Sequence, residues 1–319
     1  MACRPHVDGL ARKLIFVGVT TGQSSIMRIF PRWTARLGLG EDIQIQGCDL
    51  PLHAPAQRYR QVVLQVRDDP NTVGAIVTSH KMDLYAAARD LFDELDEPAR
   101  LLGEVSSLAL RDGRLWGWAR DSVAAGRAFE RLPGPGSGAR TPADVLCFGA
   151  GGAGQAIAFH LLTQTSPQPA WRRIILTDRD PERLDRIQRL RRRLSSPLDL
   201  MTVQTGDPRM HDDLMASLPD GSLVINATGM GKDLPGSPVT ERGQFPRRGI
   251  AWDLNYRGER QFLQQASRQA AARDVRVADG WEYFIDGWTA AMEAIFDRPI
   301  SRAERDLLAA DAHAVRYTG

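Results

Sequence analysis

The stretch VLCFGAGGAGQAIA at residues 145–158 constrains this chain more than any other. A short apolar run leads straight into Gly149-x-Gly151-x-x-Gly154, and small apolar residues of helical character follow. Each glycine has a use where a strand turns into a helix. The first permits the tight turn, the second lets the backbone approach a pyrophosphate, and the third lets helix and strand pack closely. The amides of the helix's first turn then face the anion. An ordinary glycine turn is the plainer alternative, but a strand before and a helix after supply the context that the dinucleotide fingerprint requires. Gly149, Ala150, Gly151, Gly152, Ala153 and Gly154 are therefore expected to bind a dinucleotide.

The next strand-like run, RIILTD, ends in Thr177-Asp178-Arg179-Asp180. A carboxylate at this point accepts the ribose hydroxyls of NAD and repels a 2′-phosphate. Asp178 also suits a turn, and Asp180-Pro181 has the form of a helix cap. Arg179 alone favours NADP, but it is flanked by two carboxylates, so NAD is the expected cofactor and NADP the lesser one. Further along, Asn226-Ala227-Thr228-Gly229-Met230-Gly231 follows another strand, and small residues at a strand end suit the ligand edge of a doubly wound sheet.

Around this core the chain alternates strand-like and helix-like segments. Residues 14–19 (LIFVGV), 43–47 and 73–78 read as strands. Helical patterns fall between them, with Ile26, Ile29, Phe30, Trp33 and Leu37 on one face. Further helices are expected over 54–69, 82–95 and 122–132. Asp112-Gly113 between two apolar runs predicts a hairpin, and PGPGSGARTP at 133–142 breaks regular structure. After the glycine loop, strands are expected at 173–178, 200–203, 223–226 and 250–254. A basic helix is expected near 181–194, and two helices at 281–296 and 301–315, the last opened by a Ser301-x-x-Glu304 capping box. The expected fold is α/β: a Rossmann-type domain over 124–279, and a second α/β domain with a mainly parallel sheet. Residues 1–123 form this second domain, 280–319 return to it, and a cleft lies between the two.

The 319 residues suffice for two domains. Forty-one basic residues nearly balance 39 acidic ones, so nothing demands nucleic acid or a membrane surface. The basic run Arg189-Leu190-Arg191-Arg192-Arg193 carries no interleaved aromatics and reads as a solvated helix face. Cys3, Cys48 and Cys147 are sparse and show no ligand spacing, and the six histidines form no cluster with Cys or Glu, so no metal is expected. The N-terminus has no signal-like run, and no segment reaches the ~20 apolar residues of a membrane helix. These features predict a cytoplasmic protein, monomer or homodimer, with a small-molecule substrate.

In order along the chain, these segments resemble the shikimate and quinate dehydrogenase family. Ile76-Val77-Thr78-Ser79-His80-Lys81 is similar to the family's Asn-Val-Thr-x-Pro-x-Lys, and Gly117-Trp118-Ala119-Arg120-Asp121 to its Gly-x-Asn-Thr-Asp. GAGGAG matches its glycine loop, NATGMG its Asn-Ala-Thr-x-x-Gly, and Asp253-Leu254-Asn255-Tyr256 its Asp-x-x-Tyr. The resemblance implies that Lys81 and Asp121 form the catalytic pair. It places Asp253 with Asp178, Arg179, Asn226, Ala227 and Thr228 on the cofactor side. Ser24, Ser25, Thr78, Ser106 and Tyr256 fall on the substrate side. The departures concern the substrate. Thr20-Thr21-Gly22-Gln23-Ser24-Ser25 displaces a pair of carboxylate-binding serines, Ser106 replaces an asparagine, and Gly287, beside Asp286, replaces a glutamine. Shikimate is therefore expected to be at best a poor substrate.

Lys and Asp suit alcohol oxidation. A desolvated lysine can exchange the hydroxyl proton while a carboxylate orients the substrate, and the nicotinamide exchanges the hydride. Without the resemblance, Lys81 reads as a solvated lysine at a helix start and Asp121 as an N-cap. His80 is a relay or an ordinary polar neighbour, and Arg28 and Arg32 are contacts for an anionic substrate or, more simply, a solvated helix face. Met27, Met82 and the aromatic group from Trp281 to Trp288 read as core. The expected function is an NAD-dependent oxidoreductase acting on a secondary alcohol of a small, cyclitol- or quinate-like compound. An NADP-dependent reductase of the same fold and a non-catalytic dinucleotide sensor are the two alternatives.

Overall fold

The computed structural model describes residues 11–40, 42–132, 143–164, 171–232 and 234–316. Cys3 and the Pro/Gly-rich break at 133–142 lie outside the described residues. The chain divides into two compact units. One holds the described residues up to Asp121 and those from Gly287 onward, and the other is Ser122–Asp286.

In the first unit, β1 (Arg12–Gly18), α1 (Ile26–Leu37), β2 (Ile43–Asp49), α2 (Ala56–Asp68) and β3 (Thr72–Val77) alternate, and β1 pairs in parallel with both β2 and β3. Leu14, Ile15, Phe16 and Val17 are all buried, as expected of a strand covered on both faces. The inward face of α1 is Ile26, Ile29, Phe30, Trp33 and Leu37, and Gly38 closes the helix with φ +62. α3 (Lys81–Ala88), β4 (Glu94–Leu95) and α4 (Glu97–Leu102) follow. The single helix expected over 82–95 is thus too long. A tight 3₁₀ turn at Arg89–Leu91 ends it, and β4 then enters the sheet. β5 (Ser107–Arg111) and β6 (Arg114–Trp118) form the hairpin, with Asp112 and Gly113 both at positive φ, the two-residue turn that matches strand twist. The sheet order is β2-β1-β3-β5-β6-β4. β5 runs antiparallel to both its neighbours while the other five strands share one direction, so the sheet is mixed but mainly parallel, as expected.

α5 (Asp121–Arg131) leads toward the second unit. There β7 (Ala143–Phe148), α6 (Gly152–Leu162), β8 (Trp171–Asp178), α7 (Pro181–Arg193), β9 (Asp199–Gln204), α8 (Pro208–Ala216), β10 (Leu223–Asn226), β11 (Ile250–Asp253), α9 (Gln261–Arg273) and β12 (Arg276–Ala278) follow in order. The six strands lie β12-β11-β10-β7-β8-β9, all parallel. Strand order reverses between β7 and β10, the point at which such sheets open their ligand crevice. Leu146, Phe148, Ile175, Val224 and Ala251 form one layer of the core with Phe245 and Phe262, each large side chain contributing roughly 1.5–3 kcal/mol by its burial. α8, α9 and β12 are absent from the sequence reading. α9 carries four glutamines in thirteen residues, which blurs its apolar stripe, and β12 is three residues long.

α10 (Trp281–Phe296) runs through the boundary between the units, and α11 (Arg302–Arg316) completes the first. The capping box forms: the Ser301 amide donates to the Glu304 carboxylate at 2.9 Å, and the Glu304 amide to Ser301 Oγ at 3.3 Å. The indole of buried Trp33 donates to Leu308 O at 2.9 Å, and Arg36 grips Asp311, which ties α11 to α1. Among the described residues, no helix is long and apolar enough to cross a membrane.

Candidate active site

Lys81 and Asp121 come together because of strand direction. β3 and β6 are both antiparallel to β5, so both end at the same edge of the first sheet. Lys81 opens α3 shortly after β3, and Asp121 opens α5 shortly after β6. Ser106, just before β5, stitches the edge together. Its carbonyl accepts from the Val77 amide and its amide donates to Trp118 O, both at 2.8 Å. Its hydroxyl donates to Trp118 O at 3.2 Å and accepts from the Arg120 amide at 2.7 Å. That serine fixes the backbone immediately before Asp121.

The Lys81 ammonium is ion-paired and hydrogen-bonded to the Asp121 carboxylate, with the two side chains only 16% and 14% exposed. Burial pushes the lysine pKa down, but the charges of Asp121 and Glu104 and the hydrogen bond that the ammonium donates to Asp121 push it up. The net direction is upward. Only three of the 41 basic residues are lysines, at 13, 81 and 232. In an arginine-rich chain, a buried lysine keeps what arginine lacks, a proton it can release. That contrast is the signal in the sequence that sets Lys81 apart.

His80 is fully buried. Its Nδ1 lies 3.1 Å from the Tyr59 hydroxyl, which also donates to Asp83 at 3.3 Å and accepts from the Ala54 amide at 3.1 Å. Thr78 Oγ1 donates to Val17 O at 3.1 Å. Ser24 and Ser25 are half-buried in the connection from β1 to α1, and Ser25 occupies the N-cap position of α1 without a side-chain cap bond. Before them, Thr21 is held by Asp49 through both its amide and its hydroxyl. Arg28 and Arg32 are exposed, while Met27 and Met82 are half-buried.

The remaining candidates belong to the second unit. Gly149 has φ +96, and a Cβ there would lie 2.8 Å from Ala227 O, so the loops after β7 and β10 touch through bare backbone. A Cβ on Gly154 would collide with Gly149 O. Gly151 stands at the N-cap of α6 with no capping side chain, and beyond it the nearest atom is Arg183 Nη1 at 3.9 Å. Uncapped amides at the head of an eleven-residue helix, beside open space, fit a pyrophosphate. Asp178 Oδ2 accepts from the Ala150 amide at 2.8 Å, and Oδ1 from the Asp180 amide at 2.9 Å. Arg179 is exposed. Arg183, which nothing in the sequence singles out, has its guanidinium 3.6 Å from Asp178 and 3.4 Å from Asp180. Trp281 and Trp288 are buried.

Asn226 is fully buried. Its Nδ2 donates to Met230 O and to Asp253 Oδ1, both at 3.1 Å, and its Oδ1 accepts from Thr228 Oγ1 at 2.7 Å. Asp253 is equally buried, and its second oxygen has no hydrogen-bond partner. Burial raises its pKa to about 7, against the lowering effect of bonds from Asn255 and Asn226 and the charge of Arg260. The Tyr256 ring packs against Phe284 and Trp281, with centroids 4.8 and 5.2 Å away. Among the described residues, no three His, Cys, Asp or Glu gather as metal ligands.

No model of a known protein family matches the sequence. Over 242 residues the chain is 29% identical to the shikimate dehydrogenase (NADP(+)) of Salinibacter ruber, which covers 74% of this chain and 77% of that protein. Among solved structures, the quinate dehydrogenase of Corynebacterium glutamicum in complex with NAD superposes with a TM-score of 0.72 at 21% identity, covering 95% and 99% of the two chains. The ligand-free 5-ketofructose reductase of a Gluconobacter strain gives 0.67 at 20% identity, covering 97% and 99%. These two likenesses speak for the fold.

Proposed function

We propose that this chain, which belongs by distant homology to the shikimate and quinate dehydrogenase family, moves a hydride between NAD and a secondary alcohol of a small polyhydroxylated compound of the cyclitol or quinate kind. That it is an NAD(P)-dependent dehydrogenase acting on CH–OH groups follows from the family. The observation that carries the rest is the largely buried Lys81–Asp121 ion pair, a proton-exchanging group beside a group that can orient a hydroxyl.

When bound, the nicotinamide supplies or accepts the hydride. The remaining work falls to the chain. In the reductive direction the Lys81 ammonium gives its proton to the carbonyl oxygen as the alcohol forms, and the neutral amine is then reprotonated from solvent. In the oxidative direction the neutral amine removes the hydroxyl proton. Asp121 leaves the ammonium to accept the substrate hydroxyl and orient it. In the second unit, the first-turn amides of α6 would hold the pyrophosphate, and Asp178 and Asp180 would face the adenosine ribose. Their charge favours NAD over NADP, and Arg183 between them narrows that margin.

Relatives differ in the cofactor and substrate they are named for, so both are decided on this protein. A panel of cyclitols, sugar acids and quinate-like acids is screened with each dinucleotide. Lys81→Ala and Asp121→Asn should each lower turnover by ~10²–10⁴-fold, and the double variant should be little worse. NAD affinity should hardly change. Wild-type turnover in Lys81→Ala removes the assignment. Cofactor binding without turnover anywhere on the panel favours a dinucleotide sensor, and tighter binding of NADP than NAD favours the NADP-dependent reductase.

A further inference from the structure

Glu104 lies in the connection between α4 and β5 and is only 2% exposed. Its own amide donates to Ala99 O at 3.3 Å, and the next amide, of Val105, donates to the carbonyl of Lys81 at 3.2 Å. The connection is thus fastened to the first residue of α3. Two residues on, Ser106 fastens the backbone before Asp121 through the Arg120 amide. A buried carboxylate therefore sits in a short segment bonded to the backbone of Lys81 and to that of Arg120, the residue before Asp121. Buried charges are expensive unless they have a use or a compensating charge.

We infer that Glu104 is a second carboxylate of the lysine site, a positioning residue that acts through Lys81 and keeps its ammonium charged while Asp121 is turned toward substrate. The inference rests on the reading of Lys81 and Asp121 given above. If Asp121 alone held the ammonium, its departure to the substrate hydroxyl would leave a buried cation facing only desolvation, which favours the neutral amine. The proton would then be lost before it was needed. With Glu104 in place, the ammonium keeps an opposing charge throughout, consistent with the contribution of Glu104 to the lysine's raised pKa. The charges that act on Lys81 come from two elements, Asp121 at the head of α5 and Glu104 before β5, while Asp83, two residues along α3, is turned to other partners. Asp83 is engaged by Tyr59 and by His53, 3.2 Å away.

The chain has three lysines, so the side-chain carbons next to Nζ give three resolvable NMR signals and Lys81 can be titrated directly. Full-length Asp121→Asn protein imitates the moment when the first carboxylate has turned away. In that background, adding Glu104→Gln should lower the Lys81 midpoint by at least about one pH unit, the ordinary effect of one nearby charge. Glu104→Ala should do the same, and serves if the glutamine variant does not fold. Glu104→Asp, which keeps the charge, should restore most of the shift. In otherwise wild-type enzyme, Glu104→Gln should move the alkaline limb of the reductive kcat profile to lower pH with little change in KM. A Lys81 signal that titrates alike with and without Glu104 overturns the inference. Titration needs no substrate, so a failure to find turnover removes the proposed function and leaves this result to stand or fall separately.

Discussion

Asp178 Oδ2 accepts a hydrogen bond from the Ala150 amide at 2.8 Å, while its other oxygen caps the turn at Asp180. The acidic side chain that ends β8 is therefore a strut of the glycine loop as well as a candidate partner of the ribose. These two roles separate by substitution. Asp178→Ala frees the loop and should weaken NAD and NADP alike by about tenfold, the equivalent of ~1.4 kcal/mol. Asp178→Asn keeps an acceptor while losing the charge, so it should mainly improve NADP relative to NAD. Fluorescence titration of both cofactors checks this. An Asp178→Ala protein that loses only its NAD preference would mean that the strut is unimportant.

The contrast between lysine and arginine gives a sharper test of the proton role than alanine does. Arg at position 81 keeps a positive charge and hydrogen-bond donors for Asp121, but it releases no proton near neutral pH. Lys81→Arg should therefore fold normally and bind dinucleotide, yet lose ~10²–10⁴-fold in turnover. If it retained more than a tenth of the wild-type rate on the true substrate, Lys81 would serve only as a charge.

The three fingerprint glycines should fail in different ways. A methyl group at Gly154 collides with Gly149 O, and both partners are backbone that cannot move aside. Gly154→Ala should destabilise the second unit, visible as an earlier melting transition. Gly151 has an ordinary negative φ and open space beyond it. Gly151→Val should melt like the wild type and lose dinucleotide binding, because its side chain fills the place proposed for the pyrophosphate. Normal NAD affinity in that variant would move the phosphate site elsewhere.

What the sequence disclosed follows from which interactions are local. The glycine loop and the Asp112–Gly113 hairpin are legible because positive φ and close backbone approach leave glycine where they occur. The face of α1 is legible because burial repeats with the helix. The meeting of Lys81 with Asp121 needs the order β3-β5-β6, and only the family resemblance suggested it. Glu104 was passed over because nothing adjacent to it announces burial. A glutamate after Leu101-Leu102-Gly103 looks like solvent-facing loop until the backbone bond from Val105 to Lys81 is seen. Arg183 escaped for a related reason: a cation in the first turn of a helix opposes the dipole, and two aspartates from the preceding turn are what hold it there.

Asp253 makes stability depend on pH in a direction opposite to that of most carboxylates. It is fully buried at the end of β11, and burial raises its pKa from 3.8 to about 7. Between those values the folded chain keeps a proton that the unfolded chain has released. Its contribution to stability is therefore complete below the unfolded pKa and is lost as pH rises through about 7. The loss amounts to about 1.4 kcal/mol per pH unit within the window. Asp253→Asn cannot titrate. It keeps an acceptor for Asn226 and the Asn255 amide, at a fixed cost from its unpartnered amide that does not vary with pH. Urea unfolding of both proteins at pH 5 and pH 8 isolates this residue, since every other group titrates alike in the two. The stability gap should shift in favour of the variant by up to about 3 kcal/mol from the lower to the higher pH. A gap that stays constant would mean that Asp253 is already ionised in the folded protein at pH 5, and that its hydrogen bonds from Asn226 and Asn255 suffice to hold a buried charge.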